Sequence, residues 1–273
     1  MSDPPAAPDP WGSGTVTPRA TCLLEGNAGP MTLDGTNTWV LLEPGSDLAV
    51  VVDPGELDDP HLRAVAAAVD AKGARVGLVL LTHGHRDHAE GAERFAQLTG
   101  APVRGAGRGQ PFTSGERLDT GGLAIEALLT PGHTSDSVSF LLRDDRALLT
   151  GDTVLGRGTT VVAHPDGELA AYLSSLAVMT SRTDTGAVTT LLPGHGPALT
   201  QAGAVLRFYR EHRLERLAQV RAAVAAGATD ARAVVETVYA AVPREVWPAA
   251  ELSVRAQLAH LEREGQGPPA ARE

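Results

Sequence analysis

The sequence predicts an α+β fold of layered sheets with helices outside, followed by a small helical appendage. Three observations carry this. Apolar, β-branched runs recur at short spacing up to residue 192. Stretches of helical composition fall between them. After Pro197 the texture changes to long Ala- and Arg-rich segments.

In chain order, residues 1–15 open with MSDPPAAPDPWGSG, rich in Pro and Gly, and are expected to be a flexible tail. The run lacks the basic start and apolar centre of a signal peptide. Strands are expected over 39–42, 48–53, 76–81, 123–129, 138–142, 147–149 and 188–192. Helices are expected over 59–71, 87–98 and 167–179; in the last, Leu169, Leu173 and Leu176 share a face. These elements make up a main domain over 16–201. Residues 202–273 are expected to form a second, helical domain, with helices over 202–225, 230–241 and 249–264. Leu206, Tyr209, Leu217 and Val220 are the expected buried stripe of its first helix, and Trp247 is expected to pack it onto the main body. A segment this short builds little core alone, so it needs that support.

Composition sets bounds on function. The 273 residues allow a substantial core, and no stretch approaches the roughly 18 apolar residues of a membrane span. Cys22 is the single cysteine, so no internal disulfide is possible, which fits a reducing cytoplasm. Any metal must therefore be held by His and carboxylate. A formal net charge of −10 does not suggest a nucleic-acid binder, although net charge hides local patches.

The chemistry concentrates in THGHRDHAEG, Thr82 to Gly91, directly after an apolar run. It supplies His83, His85, Asp87 and His88. His133 follows in TPGH, Asp152 in TGDT and His195 in LLPGHGP, each again after an apolar run. If those runs are neighbouring strands, all seven side chains emerge at one edge of a sheet, where loops carry sites. His83 and His85 lie two apart, so in an extended segment they point the same way and can share a metal. Asp87 and His88 come where the chain should turn into a helix and can face a second metal. His133 and His195 supply a third imidazole to each, and Asp152 can bridge. Imidazole and carboxylate donors favour two zinc ions, with iron or manganese open. Two such cations generate a metal-bound hydroxide near neutral pH. Asp87 is then placed to orient the attacking water or to collect its proton.

The set H-x-H-x-D-H, PGHT, GD and PGHG resembles the metallo-β-lactamase superfamily in order and approximate spacing. The resemblance implies a four-layer αββα sandwich with metals at one edge between the sheets. It implies that His83, His85 and His133 bind the first metal and Asp87, His88 and His195 the second, with Asp152 bridging. Asp53, in VVDPGE, matches the motif of a supporting Asp. Dedicated β-lactamases generally lack the bridging Asp, whereas thioester hydrolases and phosphodiesterases of the superfamily have it. NAGPMTLDGTNTWVLLEPG, GDTVLGRGTTVV and PGHGPAL look like the β-lactamase-like protein 2 subgroup, which includes an endoribonuclease acting on single-stranded RNA. That subgroup's winged-helix-like C-terminal region matches 202 to 265. The resemblance implies a dinuclear zinc hydrolase of an ester-like bond, with RNA cleavage as the most specific reading. Hydrolysis of a thioester or lactone is the alternative. A β-lactamase and a non-catalytic, metal-stabilised nucleic-acid-binding module stand further back. The partner is a small ester-like molecule or single-stranded RNA, with no membrane and a homodimer left open.

Other residues carry two readings. His164, in VVAHPDGEL, is either a general acid near the site mouth or a solvated loop histidine. Asn37, with Thr36 and Thr38, either bonds substrate or fixes a turn. Thr159 and Thr160 pose the same question after the Asp152 loop. Arg207, Arg210, Arg213 and Arg216 are a basic track or, interleaved with Glu211 and Glu215, a solvated face; the mixed charge favours the second. Tyr209 reads as a core anchor and His212 as structural.

Overall fold

Strands that are apolar at every position must be covered on both faces. The computed structural model, which describes residues 11–267, shows how this is done. One sheet runs in the order β1 (Gly14–Thr15), β2 (Ala20–Leu24), β3 (Asn37–Leu42), β4 (Leu48–Val52), β5 (Arg75–Leu80) and β6 (Val103–Arg104). The other contains β7 (Glu116–Thr120), β8 (Leu123–Leu129), β9 (Val138–Leu142), β10 (Ala147–Gly151) and β11 (Thr190–Pro193). Its spatial order is β11-β10-β9-β8-β7. Neighbours are antiparallel except β4–β5, β5–β6 and β10–β11, which are parallel. Helices α1 (Asp59–Asp70), α2 (Arg86–Ala89) and α3 (Ala92–Thr99) belong to the first half of the chain. They are followed by α4 (Leu169–Asp184), α5 (Ala202–Ala225), α6 (Ala231–Val238) and α7 (Trp247–Arg263).

Alternation along each strand sorts the side chains into layers. Trp39, Leu41, Val50 and Val52 of the first sheet meet Leu123, Ile125, Phe140, Leu142 and Leu149 of the second in a central core. Their neighbours Val40, Val51, Val76 and Val79 face outward under Leu62, Val65, Val69 and Phe95 of α1 and α3. On the far side, Leu128, Leu141, Leu148 and Leu191 pack under Tyr172, Leu176 and Met179 of α4 and Leu206 and Tyr209 of α5. The order is helix, sheet, sheet, helix, the expected αββα sandwich. Each large side chain buried this way stabilises by roughly 1.5–3 kcal/mol.

The structure corrects several boundaries. The helix expected over 87–98 is two, α2 and α3, broken at Gly91. A Cβ at Gly91 would lie 2.4 Å from the Glu56 carbonyl oxygen, so only glycine lets the chain pass. The edge strand β7 was not expected, because its sequence ERLDT alternates half-buried and exposed polar side chains. Of the tail expected over 1–15, residues 1–10 lie outside the described residues, while 11–15 are held in place. Trp11 Nε1 donates to Asn37 Oδ1 at 2.8 Å, and β1 pairs with β2. The boundary expected at 201/202 opens a helix shared by both parts. The first half of α5 packs into the outer layer of the sandwich, and its second half packs with α6 and α7.

The appendage builds its own cluster from Leu217, Val220, Val234, Val235, Val254 and Leu261, joined by Leu169 and Leu173 of α4. Trp247 sits inside that cluster, with Nε1 donating to the Val242 carbonyl at 3.0 Å. Among the described residues no helix is long and apolar enough to cross a membrane.

Candidate metal centre

The strands deliver their functional side chains to one edge. β5 ends at Leu80, and the next residues carry Thr82, His83 and His85 into α2, which presents Asp87 and His88. The loop after β8 carries His133. β10 ends beside Asp152, and β11 ends just before His195. Two backbone bonds staple the sheets here: Val138 N to Thr82 O at 2.8 Å and Asn37 N to Gly194 O at 2.8 Å. Gly194 is required by crowding, since a Cβ there would lie 2.6 Å from Asp152 Oδ1 and 2.7 Å from His88 Cε1.

The structure brings all seven expected side chains together in two adjoining groups. His83, His85, His133 and Asp152 form one; Asp87, His88 and His195 form the other. His85 Nδ1 is 3.1 Å from both His83 Nε2 and His133 Nε2. His88 Nε2 is 3.2 Å from His195 Nε2, which is 3.1 Å from Asp87 Oδ2. Asp152 reaches both groups, at 3.4 Å from His88 and His195 and 3.8 Å from His133.

The residues present fit a pair of cations. Ligands about 2.0–2.1 Å from a tetrahedral ion lie roughly 3.3 Å from one another, close to the spacing found here. The buried Asp152 Oδ1 has no hydrogen-bond partner. Four of the five rings, those of His83, His88, His133 and His195, are backed by acceptors at Nδ1, which turns their Nε2 toward the centre, while His85 faces it with Nδ1. His88 Nδ1 donates to Asp53 Oδ2 (2.9 Å), His133 Nδ1 to the Val161 carbonyl (2.7 Å) and His195 Nδ1 to the Gly35 carbonyl (3.1 Å). Thr82 Oγ1 donates to Asp53 Oδ2 at 2.6 Å, so it must accept from His83 Nδ1 at 3.0 Å.

Electrostatics divide the groups. Burial, with the charge of His88, holds His83 well below the ordinary histidine range, and burial also lowers His133. In the second group burial opposes the charged forms, but carboxylates prevail. Asp152 and Asp53 hold His88 well above the usual range, and Asp152 with Asp87 lifts His195 to about 9. Burial likewise works against ionised Asp87 and Asp152, yet His195 and His88 keep both below the usual carboxylate range.

The structure places three of the residues that carry two readings. Asn37 is fully buried and its amide is used internally: Nδ2 donates to the carbonyls of Pro193 and Gly196, and Oδ1 accepts from Trp11. It pins β3 to the His195 loop and has no group left for substrate. Thr160 is buried, with Oγ1 3.2 Å from His133 Nδ1, so it braces a candidate ligand. His164 is exposed and lines a cavity with Asp230, Arg232, Glu251 and Arg255 of the appendage side, none of them in the cluster. Thr159 is partly exposed on the same loop as Thr160.

Arg213 was read as part of a solvated face, yet it is buried. Its guanidinium donates to the Thr160 carbonyl and lies 5.1 Å from the centre of the Tyr172 ring. Its three-residue spacing from other arginines masked it. His61 was not singled out at all; it bonds Thr38 Oγ1 at 2.9 Å, whose hydroxyl also meets the Asp53 carbonyl at 2.8 Å. No local pattern marks it, because His61 lies on α1 and its partner Thr38 comes from β3.

Comparisons with known proteins agree with this geometry. A family model described as the metallo-beta-lactamase superfamily matches residues 31–122 and 108–195, and one described as a beta-lactamase associated winged helix domain matches 231–266. The chain is similar to a protein named atrochrysone carboxyl ACP thioesterase from Aspergillus chevalieri. The two are 34% identical, over 85% of this chain and 76% of that one. It is also similar to a beta-lactamase-like protein 2 homolog from Drosophila melanogaster, 30% identical over 92% of this chain and 90% of that one. Among solved structures, a beta-lactamase domain protein from Burkholderia ambifaria superposes with a TM-score of 0.77. It shares 22% identity and covers 97% of this chain and 94% of its own.

Proposed function

The chain belongs to the metallo-β-lactamase superfamily and is a hydrolase, and from that premise we propose that it uses two zinc ions to cleave a thioester or related acyl ester. The observation that carries the reading is the convergence of seven side chains into two adjoining groups linked by Asp152. His83, His85 and His133 would hold one ion, Asp87, His88 and His195 the other, and Asp152 would touch both. Bound there, the ions supply Lewis acidity toward the substrate oxygen and lower the pKa of water.

The protein's own groups do the rest. Asp53 and Thr82 orient His88 and His83 from behind. Asp87, kept ionised and with its side chain 21% exposed, is the carboxylate placed to steer the attacking water or accept its proton. Thr159 is the remaining candidate for a substrate contact from the Asp152 loop. The thioesterase name of a relative at 34% identity supports acyl transfer to water, and so does the net charge of −10, which disfavours a polyanion. Single-stranded RNA is the competing substrate, favoured by exposed Arg207 and Arg210 on α5. Cys22 is buried and pushed up to about 12 by that burial, an inert thiol that suits a cytoplasmic protein.

The test is zinc-loaded protein assayed beside a chelated control against acyl-pantetheine thioesters, lactones and a single-stranded oligoribonucleotide. Metal-dependent thioester cleavage without RNA cleavage supports the reading. RNA cleavage without acyl hydrolysis overturns it.

A further inference from the structure

We propose that a cavity behind the His83–His85 loop receives the acyl chain of the substrate; this rests on the hydrolase reading above. The cavity measures about 230 Å³ and opens between the loop at 105–112 and the neighbouring ends of β8 and β9. Ala106 and Leu129, with the largely buried Phe112 and Val138 behind them, give it an apolar wall, and Arg108 and Asp136 are its charged members.

Two contacts join the cavity to the metal cluster. Asp136 and Ala106 close on Gly84, the residue between His83 and His85. A Cβ added at Gly84 would lie 3.1 Å from Asp136 Oδ2 and 3.8 Å from the Ala106 Cβ. A chain lying in the cavity therefore runs up to the loop that carries two candidate ligands. Leu129, at the end of β8, is 40% exposed, whereas Leu128 beside it is fully buried. An acyl chain would remove that leucine's surface from water, which is favourable in proportion to the area covered.

The wall suits a hydrocarbon chain and not a nucleobase. Proteins hold single-stranded bases by stacking them on aromatic faces. The one aromatic ring in this wall, Phe112, is 8% exposed. The Arg104 guanidinium covers it 4.2 Å from its centre, and Phe140 packs against it at 5.4 Å. No free face is left for a base. A cavity of about 230 Å³ has room for a short hydrocarbon chain.

The experiment compares acetyl- and octanoyl-pantetheine as substrates. It also measures calorimetrically the binding of the non-hydrolysable octanoyl-pantetheine thioether. Both are done on wild type, Leu129→Trp, Leu129→Ser and the control Val178→Ser, whose site is an exposed position on α4. Wild type is expected to favour octanoyl by at least tenfold in kcat/KM. Leu129→Trp, which fills the cavity, lowers that octanoyl-to-acetyl ratio at least tenfold. Leu129→Ser lowers it several-fold, and Val178→Ser leaves it alone. Thioether affinity follows the same order. An unchanged ratio and unchanged affinity in both Leu129 variants overturn the assignment. Thioether binding that Leu129→Trp abolishes, without turnover of either thioester, keeps the cavity and overturns the thioester reading.

Discussion

Asp53 Oδ2 accepts a hydrogen bond from His88 Nδ1 at 2.9 Å, across 35 residues of sequence. The same carboxylate accepts from Thr82 N at 2.8 Å and Thr82 Oγ1 at 2.6 Å. One side chain thus braces both candidate metal groups, through Thr82 to His83 and directly to His88. Groups that orient metal ligands in this way typically contribute 10–100-fold in affinity. Asp53→Ala is therefore expected to weaken zinc binding by about that factor, read by competition with a chromophoric chelator. Unchanged affinity would show that His88 holds its orientation without help.

Asp87→Ala is expected to leave the fold intact, because that side chain is partly exposed and lies at a helix start. Turnover should fall by roughly 10²–10⁴, the usual contribution of a positioned acid or base. Steady-state kinetics beside far-ultraviolet circular dichroism measure both. Persisting turnover would remove Asp87 from the reaction.

Tyr209 fastens the α5 layer to the Asp152 loop. Its hydroxyl accepts from Leu155 N at 2.9 Å and faces the Gly158 carbonyl at 3.1 Å. Tyr209→Phe leaves buried backbone groups unpaired and is expected to cost about 1–3 kcal/mol. Chemical denaturation should show this as a lower midpoint at constant slope; no change would mean that the loop finds other partners.

The metal-free protein should carry a specific pH signature. His195 rises to about 9 on folding, against 6.5 for a free histidine. A raised folded value stabilises fully below the unfolded pKa, and that contribution is lost as pH climbs through the folded one. Metal-free wild type should exceed His195→Asn in Tm most near about pH 6 and least near about pH 10. Zinc affinity runs the other way, rising over the same interval, because the ring must shed its proton to bind. A Tm gap that widens with pH would contradict the assignment of that proton to His195.

The parts of the fold legible in the sequence were those where physics acts locally. β4, β9 and β10 are buried at nearly every position because both their faces are covered, so apart from Ser139, Thr150 and Gly151 they stand out as apolar runs. The PGH turns and the THGHRDH segment announce the cluster because each follows such a run. β7 was missed because an edge strand tolerates polar residues on its open side. The break between α2 and α3 depends on Gly91 meeting Glu56, a contact distant in sequence. The roles of Asn37, Thr160 and Arg213 are hidden from the sequence for the same reason. Their roles are set by Pro193, His133 and Tyr172, which only the folded chain brings near.

Two divalent cations held by these seven side chains are the centre of the proposed chemistry. Elemental analysis of the purified protein, paired with activity before and after chelation, measures this directly. About two equivalents of zinc or a similar metal per chain are expected, with activity lost on chelation and restored by zinc. A chain that retains no metal, or one that stays fully active after complete chelation, would contradict it.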